Sequence, residues 1–197
     1  HKDPQVLAEA VGIFVETGLL RDEAVLVVAP LARIPSYLQR LERSDKSLQT
    51  WQKSGQLTVL DGPTLLSRFM KNDMPVWEDF REIVGQILED SAAMQWKGRR
   101  VYGEMVNDLW RAGHTAAAIR LEEYWNELAR VYRFCLFCGY HVDSTCESTY
   151  TEPLHEIGRT HSDILTTAED DYLWGALNTA AKEVLGIPLS QMLMYSG

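Results

Sequence analysis

Apolar and polar residues follow one another along the chain in blocks that predict helices and strands in turn. Residues 4–18 carry apolar side chains at helical spacing, and Gly18 is the predicted end of this helix. Ala24 to Ala29 then form an unbroken apolar run that ends at Pro30. Such a short run is typical of a strand that is buried on both faces. The chain therefore begins as helix and then strand, the order found in parallel α/β layer folds.

The same alternation continues to residue 140. Further helices are predicted over residues 35–41, 64–70, 77–90, 104–112 and 115–132, and further strands over 55–61, 99–103 and 134–140. Residues 48–53 fit neither pattern clearly, and residues 71–75 are predicted to be a loop. Helices long enough for crossover connections separate the strands. We therefore predict an α/β fold with three layers, in which helices flank a mostly parallel central sheet.

The length of the chain and its C-terminal pattern predict the domain organisation. A chain of 197 residues is long enough for one sizeable core, so we predict a single domain over residues 1–197. Apolar positions between Leu173 and Leu185 predict a last helix. We expect residues 168–197 to pack on the domain as a helix and a tail.

The composition argues against two classes of partner. The formal net charge is -9 and the isoelectric point is about 5.0, whereas nucleic acids and anionic membranes attract clusters of Lys and Arg. No run is apolar over the roughly 20 residues that a bilayer span needs. Residues 1–5 do not have the pattern of a signal peptide, and three cysteines do not form a disulfide framework. The sequence predicts a cytoplasmic protein.

Gly98 and Gly103 have the spacing of the glycines in a phosphate-binding loop. Such a loop continues with Lys and then Ser or Thr, which hold the phosphate and magnesium. Here Glu104 and Met105 follow instead, and the spacing spans a predicted strand. A carboxylate at this position would repel phosphate. No nucleotide or other cofactor is predicted.

Other chemistry-bearing residues lack the spacing of a metal or catalytic site. Cys135 and Cys138 lie on a predicted strand, where their side chains would face opposite sides. His155 and His161 are too far apart for one helical face, and no Ser lies in a nucleophile elbow. We therefore predict no metal site and no enzymatic activity.

Five residues are the candidates for a ligand site. Glu104 follows a predicted strand, and ligands of parallel sheets bind beyond the carboxyl ends of the strands; the alternative is an acid that stabilises the first turn of a helix. Glu122 and Asn126 lie one helical turn apart beside Trp125, although charged groups at such a boundary are often solvated. With Tyr140 they would form the wall of a pocket that combines aromatic and polar groups.

The stretch from residue 99 to residue 140 resembles the MEDS domain, the methanogen/methylotroph, DcmR-type sensory domain. Its matching residues are Gly103, Glu104, Met105, Leu109, Trp110, Gly113, Leu121, Glu122, Trp125, Asn126, Leu128, Cys138 and Tyr140. Upstream matches are Gly18, Leu19, Glu23, Gly55, Leu60, Asp61, Phe69, Met70, Met74, Pro75 and Phe80. The resemblance covers most of the chain. It departs from the family pattern at the start, where a His and an aromatic pair on a first strand are expected but the chain begins at His1.

The resemblance implies a cytoplasmic sensory domain with a fold similar to the RecA/KaiC-like ATPases but without their Walker motifs. Such domains occur alone or joined to histidine kinases and transcription regulators, and they are thought to sense small hydrocarbon derivatives. We therefore expect a small-molecule ligand and a signalling partner. Two alternatives stay open: a degenerate RecA-like nucleotide-binding protein, and a protein–protein interaction module. Self-association as a homodimer is compatible with each of these.

Overall fold

The centre of the structure, a computed structural model that describes residues 4–43, 47–94 and 96–140, is a sheet of four parallel strands. Its strands are β1 (Ala24–Ala29), β2 (Leu57–Asp61), β5 (Arg99–Gly103) and β6 (Cys135–Cys138). They lie in the order β2-β1-β5-β6. Between β2 and β5, the short strands β3 (Met70–Lys71) and β4 (Met74–Pro75) form a separate antiparallel hairpin.

The helices between these strands follow the predicted order. They are α1 (Pro4–Leu20), α2 (Ile34–Leu38), α3 (Leu48–Lys53), α4 (Gly62–Ser67), α5 (Trp77–Ala93), α6 (Met105–Arg111) and α7 (Thr115–Tyr132). A 3₁₀ turn over Gln39–Arg43 continues α2. The unassigned residues 48–53 form α3, whose first turn is capped by the side chain of Ser47.

Two hydrophobic cores lie on opposite faces of the sheet. Residues of β1 alternate between them, because successive side chains of a strand point to opposite faces: Val25 and Val27 pack with α1, α2 and α3, and Leu26 and Val28 pack with α5, α6 and α7. All of β1 is buried. The predicted α/β fold with three layers and a parallel central sheet is confirmed.

The first helix is longer than predicted, because Gly18 does not end it. Helix α1 continues to Leu20. A Cβ atom at Gly18 would lie 2.8 Å from Cγ2 of Val25 and 2.7 Å from Cδ of Arg100. Gly18 thus lets α1 approach β1 and β5 closely, because a side chain at this position would collide with Val25 and Arg100.

The hairpin of β3 and β4 replaces a predicted loop. Its two turn residues, Asn72 and Asp73, have φ of 49° and 60°, the left-handed conformation that a two-residue hairpin turn requires. Helix α4 also starts and ends earlier than predicted, since the Asp61 carboxylate accepts the N–H of Thr64 and caps the helix at Gly62.

Predictions for the C-terminal segment fall outside the described residues. These are the last helix and tail over residues 168–197 and their place in a single domain, which stay predictions. Among the helices that the structure describes, none has both the length and the apolar character needed to cross a bilayer.

Candidate functional site

The carboxyl ends of the four parallel strands meet at one edge of the sheet. Ala29 pairs with Asp61, Val28 pairs with Gly103, and Gly103 pairs with Cys138. The residues that follow these strands therefore lie beside one another, as ligand-binding residues of open parallel sheets do. Two buried carboxyl groups, those of Glu104 and Glu122, belong to this region.

Glu104 follows β5 directly and is 1% exposed. Its backbone N–H donates to the carbonyl oxygen of Val28 over 3.0 Å. The Tyr102 hydroxyl donates to Oε1 over 2.6 Å, and the Tyr37 hydroxyl donates to the same oxygen. Nη1 of Arg33 lies 2.5 Å from Oε2. We call Glu104, Arg33, Tyr37 and Tyr102 the Glu104 cluster; it joins the end of β5 to the start of α2.

The phenols of this cluster stay protonated. Burial, together with the neighbouring Glu104, raises the pKa of Tyr37 and of Tyr102 well above the ordinary value for a tyrosine. Burial lowers the pKa of Arg33, but the charge and hydrogen bond of Glu104, together with smaller effects of Tyr37 and Asp108, outweigh burial, and the pKa is raised. The cluster therefore holds a charged guanidinium and two hydroxyl donors against one carboxyl group. Arg33 reaches solvent, since its side chain is 37% exposed.

Asp108 is a further acid at this edge, and it is absent from the five residues predicted from the sequence. It lies one helical turn after Glu104, so the spacing alone could have indicated it. Its Oδ2 atom is buried and has no hydrogen-bond partner among the described residues. Burial raises the pKa of Asp108, and the Glu104 charge adds to the rise while Arg33 opposes it.

Glu122 on α7 is the second buried carboxyl group, at 2% exposure. The hydroxyl of Tyr140 donates to its Oε1 atom, and the charge of Glu122 acts on the thiol of Cys138. Burial and then Glu122 raise the pKa of Cys138 and of Tyr140. Both groups are therefore neutral. We call Glu122, Cys138 and Tyr140 the Glu122 cluster.

The two clusters lie on opposite faces of the sheet. Tyr37 and Tyr102 belong to the core beside α1, whereas Leu121 and Trp125 of α7 belong to the core beside α5. The structure thus brings Glu122 and Tyr140 together, and it places Glu104 with residues of α2 and β5. The sequence did not indicate Arg33, Tyr37 or Cys138 as site residues, because their roles depend on contacts between distant segments.

The two remaining candidates differ in their surroundings. Trp125 is 1% exposed, and its ring makes edge-on contacts with Phe80 at 5.2 Å and with Phe134 at 6.0 Å between centroids. These contacts make Trp125 a core residue on the α7 side of the sheet. Asn126 is half-buried on the same helix, one turn beyond Glu122.

The structure places the glycine pair Gly98 and Gly103 around a strand. β5 runs from Arg99 to Gly103, so the two glycines do not enclose a loop. A phosphate-binding loop offers free backbone N–H groups to the phosphate. In the loop after β1, by contrast, the N–H of Leu31 donates to the Asp61 carboxylate over 3.2 Å. Within residues 4–43, 47–94 and 96–140, no group of three or more His, Cys, Asp or Glu side chains could hold a metal ion.

Comparison with known proteins gives one match. The family model of MEDS, the MEthanogen/methylotroph, DcmR Sensory domain, matches residues 1–162. Neither a curated protein nor a solved structure matches the chain. The similarity to RecA/KaiC-like folds therefore stays a prediction.

Proposed function

The chain belongs to the MEDS family of sensory domains, and we propose that it binds a small organic molecule and passes this signal to a partner protein. The family gives the sensory role. The ligand, a hydrocarbon derivative, and the partner, a histidine kinase or a transcription regulator, are part of the proposal. So are its cytoplasmic location and its lack of enzymatic activity.

The observation that supports ligand binding is the pair of buried carboxyl groups at the carboxyl edge of the sheet. Burying a carboxyl group is unfavourable unless other groups compensate it. Glu104 and Glu122 are 1% and 2% exposed, and side chains of other elements compensate both. Such groups concentrate at functional sites, and this edge is where ligands of parallel sheets bind.

The surroundings of the two carboxyl groups suit a ligand that is mostly apolar. Each cluster borders a hydrophobic core, and its polar groups are few and point at one carboxyl group. Pockets for small organic molecules combine apolar walls with a few placed polar groups in this way. A hydrocarbon derivative with one polar group matches this chemistry.

A signal can leave the domain through α1. Its outward residues Val6, Ile13 and Leu20 are 42%, 45% and 69% exposed, and they recur every seven residues, which places them on one face of the helix. Such a stripe supports contact with a helix of a signalling partner or of a second copy. Ligand binding would shift the population of conformations that this partner recognises.

Nucleotide binding is the weaker candidate. The residues after β1 are Pro30, Leu31, Ala32 and Arg33, which include neither the glycines nor the lysine of a phosphate loop. The acidic edge formed by Asp61, Glu104 and Asp108 would also repel phosphate. Saturable binding of ATP with magnesium would favour this alternative.

A thermal-shift screen of small organic compounds tests the proposal. We expect a compound that raises the unfolding temperature of the wild type and of Glu16→Gln, a control in an exposed ion pair with Arg40. The same compound should bind Glu104→Gln or Glu122→Gln at least about tenfold more weakly, the loss that follows when a site loses a polar contact of about 1.4 kcal/mol. Equal binding to all four proteins would place the ligand elsewhere. If no compound binds the wild type, ligand sensing by this domain is contradicted.

A further inference from the structure

A surface groove of about 400 Å³ lies where α5 meets the end of α7. Six of its lining residues belong to α5 and the seventh ends α7; they are Trp77, Glu78, Arg81, Glu82, Gln86, Glu89 and Tyr132. Along α5 this lining extends over about 18 Å, at about 1.5 Å per residue. None of these residues belongs to the Glu104 cluster or to the Glu122 cluster. We call this surface the α5–α7 groove.

The two helices that form the groove lie side by side and run in the same direction. The rings of Trp77 and Tyr124 are 5.1 Å apart between centroids, and the next contact, between Gly85 and Tyr132, comes eight residues later on each helix. A Cβ atom at Gly85 would lie 3.1 Å from the Tyr132 hydroxyl oxygen, a tight contact. Glycine is unfavourable inside a helix, but here it lets the Tyr132 ring lie against α5 as a wall of the groove.

The groove is acidic. Glu78, Glu82 and Glu89 contribute three carboxylates and Arg81 one guanidinium, which leaves a net charge of −2. Within the part of the chain that the structure describes, none of these four side chains takes part in an ion pair. Glu89 accepts a hydrogen bond of 2.7 Å from the Tyr132 hydroxyl. The carboxylates of the groove thus remain available to cations from outside.

The stability of α5 does not account for these acids. Glu78 lies in the first turn, where the positive end of the helix stabilises a carboxylate. That effect does not extend beyond the first turn, so it does not explain Glu82 and Glu89. Glu78 and Glu82 also lie four residues apart, a spacing at which like charges destabilise a helix. A positively charged partner would relieve this repulsion.

We propose that the α5–α7 groove is a docking surface for a basic segment of a partner protein, whose arginine or lysine side chains pair with Glu78, Glu82 and Glu89. This inference goes beyond the proposed function, because it does not depend on a small-molecule ligand. Trp77 and Tyr132 line the groove toward its two ends, and cations bind over the faces of such rings. Arginine suits the groove best, since its planar guanidinium both stacks on aromatic rings and binds carboxylates.

The charge and exposure of the groove favour a protein segment over other partners. Nucleic acids and anionic membranes are repelled by the same carboxylates. The polar lining residues of α5 are all exposed, so a small cation would remain largely hydrated there. A peptide segment instead covers the groove along its length and can place several cations at once.

Fluorescence anisotropy with a labelled peptide tests the inference. The probe is an alanine-based peptide of about 16 residues with arginine at every fourth position, which as a helix spans the groove; its counterpart carries glutamine in place of arginine. The proteins are the wild type, the double variant Glu78→Gln with Glu82→Gln, and the control Glu9→Gln with Glu42→Gln. Glu9 and Glu42 are exposed, and their neighbours Leu7 and Leu41 belong to the core on the opposite face of the sheet. Both double variants lose the same two charges.

We expect the arginine peptide to bind the wild type and the control saturably and with equal affinity. It should bind the groove variant at least about tenfold more weakly, which corresponds to about 1.4 kcal/mol. The glutamine peptide should bind none of the three. The unfolding temperature of the groove variant should equal or exceed that of the wild type, because a repulsive pair is removed, and this separates lost binding from lost folding.

Three results would overturn the inference. The first is no binding of the arginine peptide to the wild type, and the second is an equal loss in both double variants, which would indicate attraction to the acidic protein as a whole. The third is binding of spermine at least as tight as that of the peptide with the same dependence on Glu78 and Glu82, which would assign the groove to a small polyamine. Each leaves the proposed ligand site untouched, since that site is tested separately through Glu104 and Glu122.

Discussion

Tyr102 and Glu104 are joined by a hydrogen bond of 2.6 Å between side chains that lie two residues apart at the end of β5. Residues two apart on a strand share a face, so this contact directs the Glu104 side chain toward the face that carries Tyr37 and α1. Both groups are buried. The bond therefore helps to hold the carboxyl group on the face of the sheet that carries α1.

Replacing Tyr102 by Phe should lower the free energy of unfolding by about 1–3 kcal/mol, because the change removes one donor from a buried carboxyl group. Urea denaturation measures this effect. Tyr124→Phe is the control, since its hydroxyl donates to the Pro75 carbonyl oxygen at a half-buried position and should contribute about 1 kcal/mol or less. Equal effects of the two substitutions would show that the Glu104 cluster adds no stability of its own.

Alanine at two glycines that lie side by side should have opposite effects. Gly139→Ala places a Cβ atom 2.7 Å from the Tyr102 hydroxyl oxygen, and overpacking of this kind costs about 1–3 kcal/mol. At Gly103 a Cβ atom meets no atom of the described residues within 4 Å, apart from its chain neighbours. Gly103→Ala should therefore be neutral or stabilising by about 0.4–1 kcal/mol, through the lower entropy of the unfolded chain. Thermal unfolding of both variants checks the difference. A destabilised Gly103→Ala would mean that other atoms contact position 103 more closely in solution than the described residues do.

Replacing Trp125 by a small residue should lower the stability of the fold itself, independently of any ligand. The side chain is 1% exposed between Phe80 and Phe134, and Trp125→Ala should cost about 3–5 kcal/mol. Val131→Ala on the same helix removes a side chain that is 68% exposed and should change stability by no more than about 0.5 kcal/mol. Urea denaturation compares the two. A Trp125→Ala protein of nearly native stability would instead indicate that the ring lines a cavity.

Asp108 should make the protein more sensitive to pH. The pKa of Asp108 in the folded state is raised above the ordinary 3.8 by burial and then by Glu104. Below pH 3.8 the carboxyl group is protonated in both the folded and the unfolded state, and it costs no stability. As the pH rises through the folded-state pKa, the free energy of unfolding falls, because the unfolded state ionises more readily. Asp108→Asn cannot ionise. Its unfolding temperature should exceed that of the wild type at pH 7, and the difference should shrink toward pH 3.5. Asp73→Asn, at an exposed position, is the control and should show little difference at either pH. A difference for Asp108→Asn that stays constant with pH would contradict a role for ionisation of this carboxyl group.

The fold was predictable where one physical signal dominates a segment. The apolar run of β1 and the helical spacing of α7 predicted the observed bounds, Ala24–Ala29 and Thr115–Tyr132. The hairpin at Asn72 and Asp73 was missed because its strands are two residues long, too short for any alternation. Gly18 was misjudged because the close contact of α1 with Val25 comes from tertiary packing and leaves no local pattern.

The site was only partly predictable for the same reason. The structure joins Glu122 and Tyr140, two of the five candidates, of which one lies on a helix and the other after the adjacent strand; their role in ligand binding stays a prediction. Arg33 and Tyr37 lie more than sixty-five positions before Glu104, their shared partner, and nothing local in α2 indicates that contact. Glu104 and Glu122 lie on opposite faces of the sheet, and this depends on the register of β5 with β1. The spacing of apolar residues along the sequence does not specify that register.

The strand order also dictates the sequence of events as the chain is synthesised. β1 pairs with β2 and then with β5, and Ala24 and Arg99 become neighbours only after the whole segment between them exists. Because a nascent chain emerges from its N-terminus, the partners of Glu104 have all been made by residue 104. The partners of Glu122 require residues up to Tyr140. We therefore expect the carboxyl group on the α1 face to be buried first, in an intermediate whose β5 edge is still unpaired and open to other chains until β6 arrives.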